Sequence, residues 1–340
     1  MEEHDPMGAR SPDFIVPPCL QIAVMVPCYN EAGAIGKVVA DFHHALPQAT
    51  VYVYDNNSND TSCGEASAAG AIVRSEHHQG KGFVVRRMFA DVDADIYLMV
   101  DGDDTYEPTA APAMIQCLVA NNLDMVIGAR IGSGEGRYRP GHVLGNRLLS
   151  GLVRILFADE FTDMLSGYRV FSRRFVKSFP LLSGGFEIET ELTIHALELQ
   201  MPIAEVSTTY RERAAGTVSK LRTFSDGARI LWFILELLKQ ERPMRTFGLI
   251  GLALVLVAVM IAYPLLGEFL RTGLVPRFPT AILSVGLVLL GFLSIACGFI
   301  LDTVTRGRQE AKRMCYLSIP STSTRLEICR ASVEPTTAQP

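Results

Sequence analysis

Asp101, Gly102 and Asp103 close the apolar run Ile96 to Val100 and lead into Asp104-Thr105-Tyr106-Glu107-Pro108. In an extended segment side chains alternate faces, so Asp101 and Asp103 are expected to point the same way while Gly102 permits close approach of backbone or ligand. Two carboxylates at one spot repel unless a cation neutralises them. Hard divalent ions such as Mg²⁺ favour a carboxylate or two completed by phosphate oxygens, so this spacing predicts a centre for a cation and a nucleotide diphosphate. An isolated Asp-x-Asp is also an ordinary acidic turn, and the surrounding chain has to decide between the two.

Between Ile22 and Thr209 apolar runs alternate with helical patterns. The runs predict strands at 22–27, 51–55, 71–73, 96–101 and 125–127, and helices near 34–45, 61–69, 81–91, 109–121 and 143–157. Near-continuous apolar strands imply a sheet buried on both faces, hence a mostly parallel α/β fold. Ligands of such sheets lie at the carboxyl ends of the strands. Three polar clusters fall there: Pro27-Cys28-Tyr29-Asn30-Glu31, the stretch from Asp55 to Thr61, and Asp101-Gly102-Asp103. A dinucleotide site would need a Gly-rich turn after the first strand, and Cys28 to Glu31 stands there instead. Gly132 to Gly136 predicts a flexible loop over the site.

Hydrophobic residues make up 49% of the 340, and the excess is local. Phe247 to Leu266 and Thr280 to Leu301 carry no charge, and each is long enough at about 1.5 Å per residue to cross a hydrocarbon core of about 30 Å. Both are expected to be transmembrane helices joined by a hairpin loop from Gly267 to Pro279. Lys239, Arg242, Arg245, Arg306, Arg308, Lys312 and Arg313 flank the pair, against Arg271 and Arg277 between them, which predicts both termini on the cytoplasmic side. The first twenty residues read as a disordered lead-in without a signal peptide, and the Ser/Thr/Pro-rich segment from Cys315 to Pro340 as a disordered tail. Seven scattered cysteines without a Cys-x-x-Cys pair predict reduced, structural thiols. The His43-His44 and His77-His78 doublets lack metal-ligand spacing, and a net charge of −5 argues against nucleic-acid binding.

Val26-Pro27-Cys28-Tyr29-Asn30-Glu31, Asp55 with its polar tail, Gly80-Lys81-Gly82, Asp101-Gly102-Asp103, Gly128-Ala129-Arg130, Ser166-Gly167-Tyr168-Arg169 and Gly216-Thr217-Val218-Ser219-Lys220 occur in that order. Over roughly residues 22–222 the chain resembles a family 2 glycosyltransferase of the polyprenyl-phosphate, dolichol-phosphate mannose synthase-like branch. The resemblance implies a GT-A fold, a nucleotide-sugar donor, Mg²⁺ or Mn²⁺, and inversion at the anomeric carbon. It assigns Pro27, Tyr29, Glu31 and Asp55 to base and ribose and Lys81 to seating the nucleotide. Asp101 would face the nucleotide-sugar and, with Asp103, hold the metal. Arg130 would contact the diphosphate, and Arg213, Ser219 and Lys220 would cradle the acceptor phosphate. Relatives often carry Gln where this chain has Thr105, which puts a third protein ligand in doubt.

Asp163 lies where inverting relatives place a catalytic or acceptor-positioning carboxylate, with a structural role holding Arg169 as the alternative. Glu187, Glu189 and Glu191 read either as a solvated helix start favoured by the dipole or as sugar contacts. Leu221, Phe224, Ala228, Leu231, Leu235 and Leu238 form an apolar stripe that predicts an interfacial helix, with core packing as the competing explanation.

The expected plan is a lead-in at 1–20, a GT-A domain at 21–218, a juxtamembrane helix at 219–243, a transmembrane hairpin at 244–304 and a cytoplasmic tail at 305–340. Expected partners are the donor, with a UDP-sugar favoured over GDP-mannose, a polyprenyl phosphate and the bilayer; a homo-oligomer is left open. The predicted reaction transfers one glucose, N-acetylglucosamine or mannose to undecaprenyl or dolichyl phosphate. The alternatives are an inactive membrane scaffold or a helper in lipid-linked-sugar translocation. A processive synthase would carry Gln-x-x-Arg-Trp, which the lone Trp232 does not supply.

Overall fold

The computed structural model describes residues 19–131, 163–180, 188–211 and 243–333. The expected helix at 143–157, the loop at 132–136 and the interfacial helix lie outside these residues. The chain divides into two units, Met1–Thr223 with Arg313–Pro340, and Phe224–Lys312.

The first unit is built on a seven-stranded sheet. In chain order its described elements are β1 (Ile22–Cys28), α1 (Ile35–Ala45), β2 (Thr50–Asp55), α2 (Ser62–Ala68), β3 (Ile72–Ser75), α3 (Lys81–Asp91), β4 (Ile96–Met99), α4 (Ala111–Ala120) and β5 (Met125–Ile131). After these come β6 (Arg169–Ser172), α5 (Arg173–Ser178), α6 (Ile188–Glu198) and β7 (Ile203–Thr209). Strand order is β3-β2-β1-β4-β6-β5-β7. All pairings are parallel except those of β6, which runs against both β4 and β5.

Alternation along each strand sorts side chains into two buried layers. Val24, Val26, Ile96, Leu98 and Val126 pack with Ile35, Val39, Phe42, Met114 and Leu118 on one face. On the other, Met25, Tyr97, Met99, Met125 and Ile127 pack with Val84, Met88, Phe175 and Leu192. This is why the strands read as unbroken apolar runs: each is covered on both sides. The chain leaves β1 in one direction toward β2 and β3, and β4 takes the other side of β1, so a crevice opens at the carboxyl ends of β1 and β4.

Several expectations change here. Strand β4 stops at Met99, and residues 101–104 form a turn in which Asp104 has φ 57°. Strict alternation therefore does not govern Asp101 and Asp103. The segment expected to be a disordered tail is helical to Leu317 and again at Thr322–Val333, and it is tied to the sheet unit by side chains. Tyr316 donates to Asp124 at 2.7 Å, Arg325 pairs with Asp95, and Leu326 packs on the core. Cys19 and Cys329 are disulfide-bonded with Cα atoms 6.0 Å apart, so not all seven cysteines are free thiols. A separation of 310 residues hides such a pair from any spacing argument.

In the second unit α7 (Pro243–Thr272) and α8 (Phe278–Leu317) are long and apolar enough to cross a membrane, the last residues of α8 belonging to the first unit. The turn between them spans only 273–277 and is closed by an Arg277 to Glu268 ion pair of 3.1 Å, shorter than the predicted loop. Buried positions recur every seven residues: Gly251, Ala258 and Leu265 on one helix, Ser284, Gly291, Gly298 and Thr305 on the other. That period makes a left-handed seam. Small residues let the backbones meet, since a Cβ on Gly291 would lie 2.7 Å from Val255 Cγ2 and 2.9 Å from the Gly251 carbonyl. Ser294 donates to the Phe247 carbonyl at 2.9 Å across the seam. Leu249, Met260, Tyr263 and Leu270 face outward and are exposed.

Candidate active site

Backbone N–H groups of the loop after β1 are satisfied by side chains of the loop after β2, which zips the two together. Asn30 donates to Ser58 Oγ at 2.8 Å, Glu31 to Ser62 Oγ at 2.8 Å and Ala32 to Asp60 Oδ2 at 3.1 Å. In return the Asn59 N–H donates to Asn30 Oδ1 at 2.8 Å. Asn30 and Asn57 hold left-handed backbone, φ 51° and 65°, a conformation Asn tolerates better than most residues. Pro27 is the next-to-last residue of β1, opposite Tyr54, while Tyr29 and Glu31 lie in the zipped loop. Asp55 is buried and accepts from the Ser58 N–H at 3.1 Å. Beside it the Cys28 thiol is pushed up to about 12 by burial, with the Asp55 and Glu31 charges adding to the effect against a Ser62 hydrogen bond.

Asn56, part of the polar stretch from Asp55 to Thr61 but given no role there, joins this cradle to the next element. Its amide donates to the carbonyls of Glu76 at 2.9 Å and His78 at 2.8 Å, and its oxygen accepts from the Gly80 N–H at 2.7 Å. Gly80 sits at φ 139°, where a side chain would be strained, and Lys81 begins α3 immediately after it. Asn56 thereby sets where Lys81 starts.

The Lys81 ammonium reaches Asp101 Oδ1 at 2.6 Å and Glu189 Oε1 at 2.5 Å. Burial alone would lower its pKa; the charges of Asp101 and Glu189 outweigh that and hold it above the ordinary lysine range. Asp101 also lies over Gly167, where a Cβ would meet its Oδ2 at 2.5 Å. Gly167 in turn donates its N–H to the buried Tyr106 hydroxyl at 2.9 Å. Gly102 faces β1, its missing Cβ 3.2 Å from Ile35 Cδ1 and 3.5 Å from the Pro27 carbonyl, so the close approach is by the protein itself.

Asp103 is buried, and the Thr105 hydroxyl donates to its Oδ1 at 2.6 Å. Thr105 therefore orients the acid. The Asp101 carboxylate thus meets an ammonium and that of Asp103 a hydroxyl. Among the described residues no group of three or more His, Cys, Asp or Glu could hold a metal ion. Two oxygen-donor carboxylates suit Mg²⁺ or Mn²⁺ only when phosphate oxygens and water complete the shell.

Arg130, at the end of β5, is gripped by Asp163 through Nε at 2.6 Å and a second guanidinium nitrogen at 2.7 Å, and lies 5.5 Å from the Tyr210 ring centre. Asp163 thus engages Arg130, whereas Arg169 donates to the carbonyls of Ser166 and Met164 and to the Thr193 hydroxyl. Burial draws the Arg169 pKa down to about 10, against the pull of the Glu189 and Asp163 charges. Glu189 and Glu191 are buried in a helix enclosed from Ile188 to Leu197, which removes the solvated reading for both; Glu187 lies outside the described residues. Tyr106 pairs with Tyr210 as an isolated bridge, and the Arg211 N–H donates to the Thr105 carbonyl at 2.8 Å. Arg213, Ser219 and Lys220, expected at the acceptor phosphate, lie outside the described residues.

Residues 23–179 match the model described as glycosyl transferase family 2. Glycosyltransferase AglJ of Haloferax volcanii is 31% identical over 300 residues, covering 86% of this chain and 97% of that protein. The chain belongs to glycosyl transferase family 2. A dolichyl-phosphate hexose transferase of the same organism is 30% identical over 221 residues, covering 65% of this chain and 95% of the relative. This family 2 glycosyltransferase is thus related to polyprenyl-phosphate sugar transferases. Glucosyl-3-phosphoglycerate synthase of Mycobacterium tuberculosis, solved with Mn²⁺, UDP-glucose and phosphoglyceric acid, superposes with a TM-score of 0.55 at 24% identity, over 64% of this chain and 79% of that one. The sheet unit has the GT-A fold.

Proposed function

We propose that the protein transfers a single sugar, with inversion, from a nucleotide sugar to a polyprenyl phosphate such as undecaprenyl or dolichyl phosphate. The observation that carries this reading is the Lys81–Asp101 pair, followed two residues on by the buried, Thr105-oriented Asp103, where β4 ends beside β1. The zipped loops bearing Tyr29, Glu31 and Asp55 would take base and ribose. Asp103, with Asp101, would hold Mg²⁺ or Mn²⁺, which when bound offsets the charge that develops on the departing diphosphate. Arg130, fixed by Asp163, presents a pre-oriented guanidinium to the same oxygens, and a group already in place stabilises the transition state without reorganising. Asp163 then acts through Arg130 and needs to accept no proton.

A lipid phosphate requires no strong base. Its second pKa is about 6, so an acceptor oxygen is already anionic at neutral pH. That oxygen forms the new bond to the anomeric carbon as the bond to the diphosphate breaks, and the nucleoside diphosphate departs. Arg213, Ser219 and Lys220 would receive the acceptor headgroup. The dolichyl-phosphate hexose transferase among the relatives supports this acceptor class. A UDP-sugar is favoured over GDP-mannose, with glucose or N-acetylglucosamine as the first sugars to try.

The test is purified protein in detergent with polyprenyl phosphate, Mn²⁺ or Mg²⁺ and labelled nucleotide sugars. Organic-extractable label from one donor supports the reading; none from any donor leaves an inactive scaffold. The α7–α8 hairpin would anchor the protein with its catalytic unit on the cytoplasmic face, as the flanking Arg and Lys favour. A disulfide is rare in reducing compartments, and Cys19–Cys329 pulls against that placement. Reporter fusions at the carboxyl terminus decide the face: reporter activity outside the cytoplasm overturns it.

A further inference from the structure

Glu189 has no part in the chemistry above, yet it is 5% exposed and shares the Lys81 ammonium with Asp101. One ammonium thus serves two carboxylates, and the Glu189 charge acts on the buried Arg169 as well. A cation arriving beside Asp101 competes with Lys81 for the same carboxylate. Were Asp101 the only partner of Lys81, its recruitment would strand an ammonium whose side chain is 11% exposed, and an uncompensated buried charge is heavily penalised. With Glu189 2.5 Å from Nζ, the ammonium keeps a carboxylate whichever way Asp101 turns.

We propose that Glu189 is a positioning residue, a reserve counter-ion that holds Lys81 while Asp101 is recruited by the divalent cation and diphosphate of the donor. The inference rests on the site reading given under the proposed function. Its distinctive consequence is conditional: Glu189 matters to cation binding only while Lys81 is present. A residue that merely stabilised α6 would matter equally with or without that lysine.

Mn²⁺ binding to the full chain in detergent, read by electron paramagnetic resonance with and without UDP, tests it. Glu189→Gln is expected to weaken Mn²⁺ binding by about tenfold or more, because Lys81 then rests on Asp101 alone. Adding Lys81→Met to Glu189→Gln removes the competing cation and is expected to restore Mn²⁺ binding, read without UDP because Lys81 also seats the nucleotide, to within about threefold of wild type. Wild-type affinity in Glu189→Gln, or a double variant as weak as the single, overturns the proposal. Should Glu189→Gln fail to unfold cooperatively, Glu189→Asp carries the test: it keeps the charge and is expected to bind Mn²⁺ within about threefold of wild type, and a tenfold loss overturns the proposal. Wild-type protein that binds no Mn²⁺ even with UDP overturns the metal reading of the site itself, a result separate from any difference between variants.

Discussion

The two ends of the sheet's strands bury carboxylates in opposite ways. At the amino ends, away from the site, Asp124 just before β5 is saturated: Arg174 grips both oxygens at 2.6 and 2.9 Å, while Ser172 and Tyr316 donate at 2.6 and 2.7 Å. Asp124 is wholly buried, and the docked tail completes its shell. At the carboxyl ends Asp101 has a side chain 29% exposed, shares one lysine with a second acid and rests on a glycine. Saturation fixes a fold, whereas shared partners leave a carboxylate that can change them. Similar ion pairs therefore serve stability on one side and ligand exchange on the other.

Breaking that contrast should give effects of different kind and descending size. Asp103→Asn is expected to cut kcat/KM by about a thousandfold with little change in melting temperature, since it removes charge directed at the transition state. Radiolabel transfer at saturating Mn²⁺ measures it, and retained turnover would show that Asp103 is not the ligand. Asp124→Ala should do the reverse. Removing one partner of a buried pair costs about 3–5 kcal/mol, so the melting temperature falls while donor affinity per folded molecule is kept.

Gly167→Ala sharpens the comparison because the nearest atoms to its Cβ would be those of the Asp101 carboxyl group, at 2.5 to 3.0 Å, which would have to turn away. About a hundredfold loss of turnover with a near-normal melting curve is expected, and equal losses in both would mean that Gly167 is simply structural. In the other unit Gly291→Val forces the helix seam apart at Val255 and Gly251, at a cost of about 1–3 kcal/mol. Detergent-resistance melts of the hairpin would read that loss, and transfer by surviving protein should be unchanged.

The smallest effect concerns pH. Burial pushes the Cys28 thiol up to about 12. Its contribution to stability is complete below the ordinary thiol value of about 8.5 and is lost as pH rises toward the folded value. Iodoacetamide at pH 8 should label the exposed Cys315 and spare Cys28, and rapid labelling of Cys28 would refute its enclosure.

Strands β1, β2, β4 and β5 were legible because burial on both faces erases alternation and leaves apolar runs. The short β6, beginning with the charged Arg169, was not, since its arginine is buried by local carbonyls that no pattern reveals. Glu189 illustrates the same limit. The sequence offers it, with Glu187 and Glu191, as a solvated helix start or a sugar contact, and neither pattern shows that α6 is enclosed from Ile188 to Leu197. Thr105 was noticed as a departure from relatives, but its hydrogen bond to Asp103 follows from a turn that the apolar run did not announce. The tail looked too polar to order, and only the folded amino ends of β4 and β5 bring Asp95 and Asp124 to Arg325 and Tyr316.

By itself the sequence determined the α/β class, the polar clusters at the strand ends, the two apolar helices and the family, because burial, charge and length are properties a linear chain carries. Which cation meets which carboxylate was decided by the tertiary structure. Lys81 and Glu189 are 108 residues apart, and Arg130 and Asp163 are 33. Electrostatic partnership acts through space over a few ångströms, and only folding brings such distant positions within that range.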